Sequence, residues 1–322
     1  MFVAVNTPII LPWPLRSGLE ATVRALLEPG DRPPIDFSKP IGEPALVSPD
    51  SVSWRVFKNP LSLFIGGVTA VIMELAEPRV RTGVWEHTSF RVNPIKRLRR
   101  TGLAAMVTIY GARSAAEAMI ASVRRVHDRI AGATPSGGPY CANDPELLNW
   151  VQATAAYGFL QAYHAYVQPL LSSERDHYYA EGVTTAALYG ATSTPTSEVE
   201  LEDLFQTMRS RLERSDIVFE FLAIMCSAPV LPTLLRPAQR LLVRAAVNLT
   251  PRWTQTILGL EGDGFYPWEA GVVRQVGAFA DRIVLNSNPA VQACQRMGLP
   301  PDYLYVHRNI VAGSHGPFQQ VT

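Results

Sequence analysis

The chain has 322 residues, 47% of them hydrophobic and 18% charged, with a formal net charge of +1. So many apolar side chains can fill a sizeable core, which argues against disorder. Near-neutrality argues against a nucleic-acid partner, which needs a concentrated basic surface.

Residues 1–50 hold nine prolines and little periodicity. They are expected to form an irregular arm wrapped on a single body spanning residues 51–322. The opening stretch MFVAVNTPIILPWPLRSG has no basic region before its apolar run and no small-residue cleavage site. No secretory signal is therefore expected, and a cytoplasmic location is. Cys141, Cys226 and Cys294 are widely spaced with no CxxC pair, which fits a reducing compartment and neither a disulfide framework nor a cysteine zinc site. The apolar run Leu61–Met73 would rise only ~20 Å as a helix, against ~30 Å of bilayer hydrocarbon. It reads as buried core, with peripheral membrane contact as the weaker alternative. Phe221–Leu235, interrupted by Pro229 and Pro232, reads the same way.

Asn93–Pro94 supplies a cap and a first-turn proline, and Gly111 a left-handed stop, predicting a helix over 94–110. Ser114–Glu117 (SAAE) reads as a capping box opening a helix that runs to about Gly132. A loop over 132–139 follows. Asp144–Pro145 opens a long apolar and aromatic helix that ends before Pro169. SSERDHYYAEGVTTAALYG and TSEVELEDLFQTMRSRLERS read as two more helices. RPAQRLLVRAAVNL, TPRWTQTILGL, PWEAGVVRQVGAFADRIVL and NPAVQACQRMGL each carry start and stop signals of the same kind. No stretch alternates as a sheet strand would, and no fixed repeat occurs. The expected fold class is all-α: one large domain of about ten helices.

Familiar catalytic signatures are missing from the sequence. There is no glycine-rich phosphate loop after a strand, no GxSxG elbow and no HExxH. The six histidines, His87, His127, His164, His177, His307 and His315, include no pair at i,i+4 spacing. A metal site built from one helix is therefore not expected.

The two helices around Gly111 carry the most specific pattern. Arg97, Arg100 and Thr101 fall at i, i+3, i+4 on one face, and Arg124 and His127 share a face of the next helix. The short connection makes the helices antiparallel. Arg97 and His127 are equidistant from Ala112, so they stand level, ~22 Å from the turn at ~1.5 Å per residue. One reading is two solvated polar faces. The other is a flat cofactor between the helices, with imidazole on one side and cationic and hydroxyl groups on the other. Haem is the flat cofactor that one histidine can hold. Directly packed helices lie 8–10 Å apart, so the hairpin would have to splay away from Gly111.

The ordered blocks ELAEPRVRTGVWEHTSFRVNP, NPIKRLRRTG, SVRRVHDRIAG and YCANDPELLNWV resemble the catalytic domain shared by bacterial rubber oxygenases (latex-clearing proteins) and MpaB-type oxygenases. The resemblance covers about residues 55–250. It implies a b-type haem (heme b) in an all-helical, globin-like core. By motif, His127 matches the axial iron ligand and Arg124 the arginine three residues before it, both at the cofactor. Arg97 and Thr101 match distal-side residues of an R-x-x-K-T motif. The lysine of that motif is here Arg100, which cannot become a neutral ligand. Gln152 stands where relatives often carry histidine. Glu86 is the first candidate for the family's catalytic glutamate and Glu74 the second; the alternative for both is an ordinary structural carboxylate.

The implied activity is that of a haem-dependent oxygenase. It would use O₂ on a small apolar, unsaturated substrate, with Arg97, Arg100 and Thr101 stabilising developing charge on oxygen. Without an export signal, polymeric rubber is not the expected substrate. Leu61–Met73, Trp150, Tyr157 and Phe159 are expected mainly in the core, with pocket lining as the alternative. The rival reading is a helical haem protein without turnover, serving gas binding, haem storage or sensing.

Overall fold

The computed structural model describes residues 7–28, 34–230, 236–266 and 268–306. Among these, the first helices are α1 (Trp13–Leu27), α2 (Val52–Phe57), α3 (Pro60–Glu74), α4 (Pro78–His87), α5 (Pro94–Tyr110) and α6 (Arg113–His127). Two short strands follow, β1 (Ala131–Ala133) and β2 (Pro139–Cys141). The rest is again helical: α7 (Pro145–Tyr166), α8 (Ser172–Tyr189), α9 (Glu198–Met208), α10 (Asp216–Ser227), α11 (Arg236–Leu249), α12 (Arg252–Leu258), α13 (Glu269–Ala280) and α14 (Pro289–Arg296). The fold is all-α apart from the hairpin.

Two glycines set the centre. A Cβ on Gly66 of α3 would stand 2.7 Å from the carbonyl oxygen of Gly158 on α7, and one on Gly158 would come closer still to Gly66 O. Only hydrogen at both positions lets the two backbones touch, and α3 makes its most extensive packing there. Ile65, Ile72 and Met73 are fully buried as a result. The run Leu61–Met73 is thus core, as expected. No single described helix is long and apolar enough to cross a membrane.

Around this pair lie α2, α11 and α13. Asn59 caps α3 through Oδ1, which accepts from Leu61 N (3.0 Å) and Ser62 N (3.1 Å), while its Nδ2 donates to Gly277 O. Lys58 Nζ meets Asp281 Oδ2 at 2.6 Å and donates to Asp281 O at 2.8 Å; both side chains are almost fully buried. This ion pair ties α13 to the α2–α3 corner.

Several helix starts follow the sequence signals closely. Asn93 caps α5 by accepting from Lys96 N, and Asp144 caps α7 by accepting from Glu146 N. Gly190 ends α8 with φ +103°, the left-handed region that glycine enters without strain.

Four local expectations are corrected. The arm is not irregular throughout, because it carries α1; its later part is pinned where buried Arg296 donates to Glu43 O and Phe37 O. Gly111 is extended (φ −61°, ψ 154°), not left-handed. Its need for glycine is steric, since a Cβ there would lie 2.5 Å from Val107 O. The capping box at Ser114 does not form. Ser114 N and Oγ instead donate to Glu43 of the arm, at 2.6 and 3.0 Å, and α6 starts one residue earlier. Finally, α6 stops at His127, and the expected loop is a small hairpin in which Gly132 pairs with Tyr140. Of Phe221–Leu235, the part over 231–235 lies outside the described residues, as do His307 and His315.

Candidate active site

Helices α5 and α6 run antiparallel from Gly111 and Ala112. Near that turn they are closed: Met106, Val107, Tyr110, Ala112, Ala116 and Ile120 are buried. Farther out the cover falls away. Residues 94–105 of α5 and 121–127 of α6 are half-buried or exposed, although Leu98 and Leu103 are apolar and stand on this part of α5. Leu98 and Leu103 pack against the main core from this stretch. The pair is thus well covered at Gly111 and only loosely covered toward Pro94 and His127, the end at which a flat cofactor would need room.

Arg97 is the electrostatic hub of the open end. Burial, the larger effect, and the charge of Arg97 together hold the His127 imidazole below its usual pKa. Asn143 and Asp128 pull the other way without reversing the shift. The ring is therefore neutral at pH 7, the form whose nitrogen lone pair can bind a metal. The level alignment of Arg97 and His127 read from the sequence is what brings them together.

The same guanidinium acts on Glu74, the last residue of α3. Burial pushes the Glu74 carboxyl up to about 7, and Arg97 offsets part of that rise. Burial also lowers the pKa of Arg97, with Glu74 opposing and Arg100 reinforcing. Glu74, Arg97 and His127 are all only half-buried by exposed surface. Groups that are strongly desolvated yet reached by solvent on one side belong on the wall of a cleft.

Thr101, one turn along α5, locks Arg97 in place. Its hydroxyl donates to Arg97 O at 3.0 Å and accepts from Arg97 Nη1. The other expected residues lie differently. Arg100 is exposed. Arg124 sends its guanidinium toward the α8 terminus, where a Cβ on Gly190 would be 3.8 Å from it. Glu86 is exposed and accepts a long hydrogen bond (3.4 Å) from Tyr140, whose hydroxyl also meets His87 Nε2 at 3.0 Å. Among the described residues the carboxylate acting on Arg97 is Glu74, which makes it the better candidate for the acid–base group.

The aromatic residues considered as pocket lining belong to the core. Trp150 and Tyr157 pack edge-on against Phe205, and Phe159 packs against Phe57. Asn143, which no sequence signal singles out, sits at the back of His127. A residue just ahead of a helix cap reads as a loop; only the β2 turn brings it onto α6.

These residues fit a haem. No three His, Cys, Asp or Glu side chains among the described residues cluster to hold a bare metal ion. A porphyrin iron asks less of the protein: one axial nitrogen, because the macrocycle supplies the other four donors. His127 offers that nitrogen, and Arg97 acts on it from α5 as a cation suited to a propionate or to reduced oxygen. A second cleft of about 490 Å³ between α4, the β1–β2 turn and α10 is lined by Arg81, Thr134, Ser136, Glu213, Arg214 and Asp216 among others.

A family model described as ER-bound oxygenase mpaB/B′/Rubber oxygenase, catalytic domain, matches residues 54–283. No curated protein and no solved structure matches the chain.

Proposed function

From the premise that this chain belongs to the family of mpaB/B′ and rubber oxygenase catalytic domains, an oxygenase family, we propose that it is a haem b-dependent oxygenase of a small, apolar, unsaturated molecule. The observation that carries this reading is the half-buried His127 imidazole, held neutral with the Arg97 guanidinium acting on it from the neighbouring helix. Bound haem would supply the activation of O₂ that amino-acid side chains cannot perform.

The chain's own residues do the rest. His127 would hold the macrocycle from α6. Arg97, braced by Thr101, presents a fixed cation where negative charge develops on oxygen; a preorganised charge needs no rearrangement as the reaction proceeds. Glu74 lies beside that cation with a carboxyl pKa of about 7. It is ionised in a useful fraction at neutral pH, yet basic enough to accept a proton from an allylic carbon.

Protein expressed with added haem should show a Soret band at ~400 nm, as histidine-ligated haem proteins do. His127→Ala should lose that band while keeping its helical circular dichroism. O₂ uptake should begin only when an unsaturated apolar substrate is added. Uptake that needs no substrate, or a Soret band unchanged in His127→Ala, would overturn the proposal.

A further inference from the structure

Asn143 follows β2 and folds back onto the last turn of α6. Its Nδ2 donates to Arg124 O at 3.1 Å and to Asp128 Oδ1 at 2.6 Å. Those acceptors flank His127, three residues before it and one after. Both acceptors require the amino end of the carboxamide, so chemistry fixes which end is which. With its two protons engaged, the amide plane is fixed as well.

The oxygen is then the free end. Asn143 Oδ1 is shut off from solvent, and no other donor reaches it. Within the turn that Asn143 spans, the titratable ring is that of His127, and the Asn143 side chain raises its pKa, the direction in which an acceptor of a ring N–H acts. A buried amide oxygen left unmatched is costly, and a neutral imidazole has one N–H to give.

We propose that Asn143 is a positioning residue for His127: Oδ1 accepts the proton of one ring nitrogen, so the other presents its lone pair on the side that faces Arg97 of α5. The inference rests on the haem reading above and deepens it. Fixing the donor end of an imidazole fixes its tautomer and its rotation about the side chain, and makes the opposite nitrogen a stronger donor to a metal. The device is built from the backbone of α6 itself, through the Arg124 carbonyl, so the ring's orientation is set by the helix that carries it. Asn143 touches neither substrate nor O₂.

The test compares the haem-loaded wild type with Asn143→Leu and Asp128→Asn. Leucine keeps the branched shape and removes the acceptor together with the two donors to α6. The carboxamide introduced by Asp128→Asn still accepts from Asn143 Nδ2 but removes the nearby charge. In Asn143→Leu the iron–histidine stretching band of the ferrous protein should move to lower frequency in resonance Raman spectra. Haem transfer to an acceptor apoprotein should run about tenfold faster, the low end of what losing an outer partner of a metal ligand costs. Asp128→Asn should match wild type in both. An unshifted band with unchanged haem transfer in Asn143→Leu overturns the inference, as does an equal effect in Asp128→Asn.

Should Asn143→Leu retain no haem, imidazole rescue replaces it. His127→Gly with added imidazole should recover the Soret band, and adding Asn143→Leu should raise the imidazole needed by about fivefold, one ordinary hydrogen bond's worth. An equal requirement overturns the inference. A wild-type protein lacking the iron–histidine band, or a His127→Gly protein keeping it without imidazole, removes the ligand reading itself and Asn143 with it.

Discussion

Two antiparallel helix pairs in this chain do opposite things with glycine. At Gly66 and Gly158, α3 and α7 close until backbone meets backbone, and the packing there is continuous along both helices. At Gly111 the glycine relieves a contact only with its own helix, where a Cβ would meet Val107 O; beyond that turn the cover over α5 and α6 thins and Arg97, Glu74 and His127 stay half-buried. One pair commits its apolar surface to stability. The other withholds it, and desolvated polar groups stay reachable by a ligand. Substitutions in the two regions should therefore separate cleanly, the first affecting Tm and the second affecting chemistry.

The largest expected effect is in the closed pair. Gly158→Val places a branched side chain against the carbonyl of Gly66, where neither backbone can retreat. A loss of ~3 kcal/mol or more is expected, at the top of the overpacking range, seen as a fall in the chemical-denaturation midpoint or as failure to fold. A midpoint within ~0.5 kcal/mol of wild type would mean that the two helices do not touch there.

The corner that fastens α13 comes next. Lys58→Met leaves Asp281 buried without its ion partner, and removing one member of a buried pair costs about 3 kcal/mol. The double variant Lys58→Met/Asp281→Leu should regain most of that loss, because an apolar pair of similar volume carries no unmatched charge. Equal midpoints for the single and double variants would contradict this.

At the open pair, Glu74→Gln should act on pH dependence before it acts on Tm. The folded pKa of Glu74 is raised, from 4.5 to about 7. The folded protein therefore holds a proton that the unfolded chain has already released between these values. Stability contributed by this residue falls as pH rises through that window, and it is fully present only below about 4.5. Glu74→Gln should remove that slope, making the variant relatively more stable at pH 8 than at pH 5. If the carboxylate is also the proton acceptor, wild-type turnover should rise with pH through about 7, and the variant should lose most activity and the rising limb with it. A variant with full activity and an unaltered limb would return the role to another carboxylate, with Glu86 the first to examine.

What the sequence could and could not show follows the same division. Capping signals are local, so Asn93 and Asp144 announce their helix starts correctly. Ser114 failed because its partner, Glu43, lies in the arm, 71 residues away. The level alignment of Arg97 and His127 was readable because an antiparallel hairpin converts equal sequence distance into equal height. Glu74 ranked below Glu86 because nothing in a helix sequence reveals that its C-terminal residue ends against another helix's arginine. Asn143 had no signal at all, since its role depends on a turn of the chain after β2. Local chemistry was legible; what required two distant segments to meet was not.

The smallest expected effect tests how finely the open wall is set. Thr101 is exposed, so its substitution should cost less than ~0.5 kcal/mol of stability. Yet its hydroxyl is the side-chain acceptor that holds Arg97 Nη1. Thr101→Val keeps the shape and removes that acceptor, leaving the guanidinium to choose among rotamers that no longer face His127. A hydrogen bond worth ~1 kcal/mol in orientation corresponds to about a fivefold fall in kcat. The Soret band and KM should be unchanged, because the imidazole has not moved. Thr101→Ser, which restores the hydroxyl, should recover most of the loss. Were Thr101→Val to lose haem instead, the residue would be packing against the cofactor and not aiming the arginine, and the line drawn between a stabilising pair and a reactive one would have to move inward by one turn of α5.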